Sequence, residues 1–202
     1  AHATVCRRTF FMGMTAFSLA RNSCSGIWSR RGRKAIAQLK RWVKGGNGNC
    51  IHLMYLLMAE EEALLQGNYM NYYDSLLDAE FGCEILLEAG IIPRDTALMF
   101  FQRSLSRAAR AGFIHDAALA AERTAEYLSI GLTSNDSDHE AKGRVCEYLD
   151  LAITYYTEWG ALAKVDQLKH KYASWFQLEC TECSELGSDP ESSNRFSRDS
   201  SG

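Results

Sequence analysis

AGFIHDAALAAERTAEYLSIG (residues 111–131), followed after a polar loop by CEYLDLAITYYTEWGALAKVDQLKHKY (residues 146–172), decides the fold class of this chain. In the first segment Ala117, Ala120, Ala121, Thr124, Tyr127 and Leu128 recur at i, i+3, i+4, i+7 spacing, with Glu122, Arg123 and Glu126 opposite them. That is the signature of an amphipathic helix. Ala141, Val145, Tyr148, Leu149, Ala152, Tyr155 and Tyr156 draw a second stripe, which ends at Trp159 and Gly160. Small residues on one helix then face aromatics on the next, the arrangement that fills a helical hairpin without voids.

Working outward, the same period continues in both directions. Toward the N-terminus, Cys6, Phe10, Gly13, Met14, Phe17, Ala20 and Cys24 keep helical spacing through Arg7-Arg8 and the apolar run after it. This stretch imitates a twin-arginine or secretory signal, but the spacing predicts an ordinary packed helix. A second helix is expected over 28–44, with Trp28, Ala35, Ile36, Leu39, Trp42 and Val43 inward, and GGNGN at 45–49 breaks it. A third, 50–66, turns Leu53, Leu56, Leu57, Ala63 and Leu64 inward and the run Glu60, Glu61, Glu62 outward, with Gly67-Asn68 as its stop. A fourth is predicted over 69–89. A fifth, 95–110, carries Leu98, Phe101, Leu105 and Ala108 behind an Asp95 cap. The sixth, seventh and eighth fall at 116–130, 138–159 and 161–178, the last burying Leu162, Val165, Leu168, Tyr172, Trp175 and Phe176. Residues 179–202 are rich in serine and poor in apolar residues, so a disordered tail is expected there.

The expected architecture is therefore all-α: antiparallel helical hairpins stacked as a degenerate tetratricopeptide-like superhelix over residues 1–178. Glycines at 67, 112, 131 and 160 are unevenly spaced, so no strict 34-residue period holds.

Composition agrees. With 202 residues, 47% hydrophobic, the chain can bury a sizeable core, and two prolines leave long helices uninterrupted. Net charge is only -3, but residues 1–50 hold ten Lys or Arg and no acid, which gives a basic end and an acidic body. Seven scattered cysteines fit a reducing, cytoplasmic setting better than a disulfide framework. No apolar run reaches the roughly 18 residues of a membrane span, so no membrane partner is expected. The chain opens on Ala1 rather than Met, the pattern of a fragment or a processed chain.

At GFIHDAALAAERTAEYL (112–128) and YLDLAITYYTEWGALAKVDQLKHKY (148–172) the sequence resembles the tetratricopeptide-like helical region of very large multi-domain signalling proteins. There the region follows a serine/threonine kinase-like module and an AAA-type signal-transduction ATPase, and often precedes a sensor histidine kinase or another output domain. HLMYLLMAEEEALLQGNY (52–69), FFMGMTAFSLA (10–20) and AIAQLKRWVKGGNGNCIH (35–52) resemble earlier helices of that region, so the likeness covers residues 10–175. Two departures stand out: residues 69–96 read as an insertion, and the loop at 131–139 is long. The resemblance implies a scaffold between a nucleotide switch and an output domain. It implies no activity for this chain, because the ATPase, kinase and receiver motifs of those proteins are absent from it.

No motif for catalysis, cofactor or metal emerges. KGGNGNC lacks the Lys-Ser/Thr of a phosphate loop, and Cys180-Thr-Glu-Cys183 is a lone pair where zinc needs four ligands. The five histidines show no HExxH spacing, and His115 beside Asp116 reads as a capping or turn residue. Cys6, Cys24 and Cys146 fall on apolar stripes, as inert buried cysteines do.

The expected function is non-catalytic: a protein-interaction scaffold contacting protein domains in its own polypeptide or in trans. Its candidate contact residues are Tyr155, Tyr156, Trp159, Tyr172, Trp175 and Phe176, with Tyr72 and Tyr73 on the fourth helix; Trp159 is expected to pack rather than stand open. The alternative is a nucleic-acid-binding module using the basic patch Arg30, Arg31, Arg33, Lys34, Lys40, Arg41 and Lys44.

Overall fold

In a computed structural model the described residues are 3–23, 26–76, 96–130, 132 and 138–176, with side chains in the third helix described as far as Gly67. The Asp95 cap, Cys24, Cys83, the Cys180–Cys183 pair, most of the 131–139 loop and the tail lie outside them, as do the side chains of Tyr72 and Tyr73. Among the described residues all regular structure is helical: α1 (Ala3–Ser23), α2 (Gly26–Lys44), a 3-10 turn (Gly48–Cys50), α3 (Ile51–Leu76), α4 (Thr96–Arg110), α5 (Ile114–Leu128), α6 (His139–Trp159), α7 (Leu162–Lys171) and α8 (Ala173–Phe176). Helices adjacent in the chain pack on one another, and α3 also touches α1 and α5.

The predicted stripes form the core. Cys6, Phe10, Phe17 and Ala20 of α1 meet Ala35, Ile36 and Leu39 of α2 and Leu53, Leu56 and Leu57 of α3. Glycine sets two close approaches. A Cβ on Gly32 would lie 2.5 Å from the ring of Phe17, and one on Gly13 would lie 2.6 Å from Leu57 Cδ1. Further along α5, Ala117, Ala118, Ala120, Ala121, Thr124 and Ala125 have no exposed surface themselves, and their small side chains let α4 and α6 approach the helix from two sides. Val145, Cys146, Leu149, Ala152 and Tyr156 of α6 are buried, as their spacing predicts.

Helix ends follow local chemistry. Asp138 caps α6 by accepting from the Ala141 amide at 2.9 Å. Gly160, at φ 82°, closes the same helix, with its own amide bonded to Thr157 O and that of Ala161 to Tyr156 O. Gly46, at φ 91°, ends α2 in the same manner.

Two boundaries and one burial differ from the sequence reading. Gly67-Asn68 does not stop α3, which runs on to Leu76 and takes in the start of the predicted fourth helix. A glycine terminates a helix when it adopts the left-handed region, and Gly67 does not, whereas Gly46, Gly112 and Gly160 do. The predicted eighth helix is two pieces, broken at Tyr172, whose φ of −111° and ψ of 22° are not helical. Leu162, expected inside, is exposed at the start of α7.

Candidate functional site

Among the described residues three carboxylates are buried, and each is enclosed by donors. Glu60 of α3, expected on a solvated face, has no exposed surface. It accepts from Arg21 Nη1 of α1 at 2.7 Å and from Arg123 of α5 through Nε at 2.6 Å and Nη2 at 3.0 Å. Asp116, at the start of α5, accepts from Arg7 Nη1 at 3.2 Å and Nη2 at 2.9 Å, and its Oδ2 lies 2.8 Å from His52 Nε2. The His52 ring stacks on Phe113, 4.6 Å between centroids, and the backbone carbonyl of His52 accepts from Ser104 Oγ. Glu122, expected opposite the apolar stripe, is buried as well, between Tyr156 Oη at 2.7 Å and Lys164 Nζ at 2.8 Å.

His115 completes the Asp116 group. Its Nε2 lies beside an Arg7 guanidinium nitrogen and 3.4 Å from Asp116 Oδ2, and its ring is 5.4 Å from that of Trp159. Burial holds the His115 pKa below its usual value, and the charges of Arg7 and His52 lower it further against the upward pull of Asp116. Burial alone would raise Asp116. The bond from His52 and the charges of His52, Arg7 and His115 outweigh that and hold its carboxyl below the usual range. Arg7, His52 and a cavity of about 100 Å³ also adjoin Cys6 and Cys50. Burial, then a bond to Cys6, pushes the Cys50 thiol up to about 12, so Cys50 stays a neutral thiol at physiological pH. Among the described residues no buried side-chain nitrogen or oxygen lacks a partner, and no cluster of acidic, His or Cys side chains could hold a metal. These groups fasten helices together.

The surface holds a different arrangement. Between α1 and α2 lies a groove of about 740 Å³ lined by Phe11, Met12, Ala16, Trp28 and Ala35, with Arg8, Arg31 and Lys34 around it. Phe11 is 51% and Met12 62% exposed, unusual for large apolar side chains standing side by side. The Arg31 guanidinium lies over the Trp28 ring, 4.6 Å from its centroid.

All seven cations of the predicted basic patch are exposed, but they do not form one face. Arg31 and Lys34 enter the groove, whereas Arg33 turns to Glu61 at 3.8 Å. Arg30 bonds to the Gly26 carbonyl and Arg41 to Gln38, while Lys40 lies close enough to Glu61 to influence its ionisation and Lys44 ends the helix. Trp28 and Trp42 are half-buried against the core. A second concavity, on α3 and α4, is lined by Tyr55, Gln102, Arg103, Arg107 and Arg110.

The candidate aromatics divide sharply. Tyr156, Tyr172 and Trp175 are buried, and Tyr155 and Phe176 are half-buried against the core. Trp159, expected to pack, is 56% exposed at the C-terminal end of α6. Its ring lies beside those of His115 and Tyr156.

The sequence reading missed Glu60, Asp116 and the groove residues Arg8, Phe11 and Met12. For Glu60 a signal exists: Leu56, Glu60 and Leu64 are spaced by four, so the carboxylate interrupts an apolar stripe and calls for a buried cation. For Asp116 there is none, since its donors are brought from α1 and α3 by tertiary packing alone. No helix among the described residues is long and apolar enough to cross a membrane. Compared with protein-family models, with curated proteins and with solved structures, the chain finds no match.

Proposed function

We propose that this chain is a non-catalytic helical scaffold, a tetratricopeptide-like stack of hairpins that binds protein segments and links a nucleotide-driven switch to an output domain. The observation that carries this reading is the groove on the first hairpin, where Phe11 and Met12 stand exposed beside cations. Apolar side chains held open on a rigid helical pair are what a protein ligand buries. The interior polar groups support the same reading, because Asp116, Glu60 and Glu122 are consumed in joining helices.

The basic helix α2 offers the competing reading, nucleic-acid binding, but its cations point in several directions and the Trp28 face is occupied by Arg31. One experiment separates the two. A photo-crosslinking benzoylphenylalanine placed at Phe11 in cells is expected to give discrete protein adducts that resist nuclease. Nuclease-sensitive adducts alone would replace the scaffold with the nucleic-acid module.

A further inference from the structure

We infer that the α1–α2 groove is the docking site for an acidic amphipathic helix of a partner protein, an inference that rests on the scaffold reading above. The cations of the first hairpin divide by where they point. Those turned inward or toward the body are matched: Arg7 with Asp116, Arg21 with Glu60, Arg33 with Glu61. Arg8, Arg31 and Lys34, all at the groove, have no carboxylate partner among the described residues, and residues 1–50 contain no acid to supply one. A positive rim around an apolar floor is left uncompensated by the molecule itself, and an acidic ligand compensates it.

Geometry selects a helix. On α1 the lining residues Arg8, Phe11, Met12 and Thr15 recur at i, i+3, i+4, i+7, and on α2 Trp28, Arg31 and Ala35 recur at i, i+3, i+7. Two such stripes make a trough about two turns, or roughly 10 Å, long. It suits apolar anchors spaced by three and four on an incoming helix, with Glu or Asp flanking them to meet Arg8, Arg31 and Lys34. Nucleic acid fits less well, since phosphates would gain nothing from Phe11 and Met12, and Arg31 covers the indole on which a base would stack.

The test titrates the full chain into four fluorescent probes: a designed amphipathic helix of about 18 residues with Leu anchors and Glu flanks, the same helix with Lys for Glu, a single-stranded oligonucleotide, and phosphatidylglycerol vesicles. The acidic helix is expected to bind and to weaken with salt. Arg31→Glu with Lys34→Glu, and separately Met12→Asp, are each expected to weaken it by about tenfold or more, with the helical circular-dichroism signal and melting unchanged.

Equal or tighter binding of the Lys helix, or binding untouched by both variants, overturns the acidic occupant while leaving a protein-binding scaffold in place. Binding of oligonucleotide or vesicles with neither peptide bound overturns both readings. A concentration-dependent dimer abolished by Arg31→Glu with Lys34→Glu overturns the partner in favour of a second copy of this chain. Failure of all four probes to bind overturns the assignment of the groove.

Discussion

Arg123 of α5 grips Glu60 of α3 through both carboxylate oxygens, although the two residues are 63 positions apart and Glu60 has no exposed surface. Arg21 of α1 reaches the same carboxylate from the other side. A buried anion of this kind is tolerable only while its donors stay in place, since its desolvation is offset by charge-assisted bonds.

Glu60→Gln keeps the shape and removes the charge. It leaves two guanidinium groups facing a neutral amide, and the loss is expected to be about 3 kcal/mol of unfolding free energy. Arg21→Ala, at a position about one-third exposed, should cost less. Urea unfolding at neutral pH checks the order, and equal costs for the two variants would refute the central place given to Glu60.

Two glycines inside helices respond to alanine with opposite sign. Gly32→Ala gains about 1 kcal/mol of helix propensity but drives a methyl group into the fully buried ring of Phe17. Overpacking of about 1–3 kcal/mol makes the net effect a loss. At Gly67 the added methyl meets nothing within 4 Å and φ is not positive, so Gly67→Ala is expected to stabilise by about 0.5–1 kcal/mol. Paired thermal melts decide both.

Acid acts first through His115. Its folded-state pKa lies below the ordinary 6.5, so the unfolded chain binds a proton that the folded one refuses. The stability it contributes is complete above pH 6.5 and falls as pH drops toward the folded value, by less than about 1.4 kcal/mol per pH unit, the limit for one proton. Asp116 adds a second loss at lower pH: its contribution is complete above 3.8 and disappears as pH falls through its depressed folded pKa. Glu61, raised chiefly by burial, has the opposite sign above its ordinary 4.5, so the difference between wild type and His115→Gln isolates the histidine. Trp159 gives an optical readout, because a protonated imidazole 5.4 Å from the indole quenches it. Trp159 fluorescence should fall with a midpoint below pH 6.5; a midpoint at or above that value would contradict the assigned environment.

Thiol chemistry should ignore Cys50. With its pKa near 12 and its side chain buried, almost no thiolate is present at pH 8. Cys50→Ser is therefore expected to leave the fast phase of modification by a disulfide reagent unchanged in native protein, and to remove one slow equivalent. A diminished fast phase would mean that Cys50 is open to solvent.

The apolar half of this fold is legible in the sequence, because a period of 3.6 reports which side chains share a face. Val145, Leu149, Ala152 and Tyr156 are named by spacing alone, and all are buried. The polar half is less legible. Glu122 looks like a solvated residue until Tyr156 and Lys164 arrive from the next two helices. The groove escapes for another reason: Phe11 and Met12 fall off the stripe of Phe10, Gly13, Met14 and Phe17, and spacing alone does not tell an open apolar face from one covered by a neighbouring helix; the packed hairpin shows them open.

Arg7–Asp116 and Arg21–Glu60–Arg123 also bear on how the molecule comes apart. In a stack whose helices touch only their neighbours, unravelling can start at one end and halt partway. Here α1 is tied to α5 by a bond between residues 109 positions apart, and again through the Glu60 carboxylate. Peeling α1 away takes one guanidinium from each of two buried anions at once, leaving Glu60 with Arg123 and Asp116 with His52. So α1, α3 and α5 are expected to melt as one cooperative unit, and a chain pulled from its N-terminus to yield in a single step rather than helix by helix.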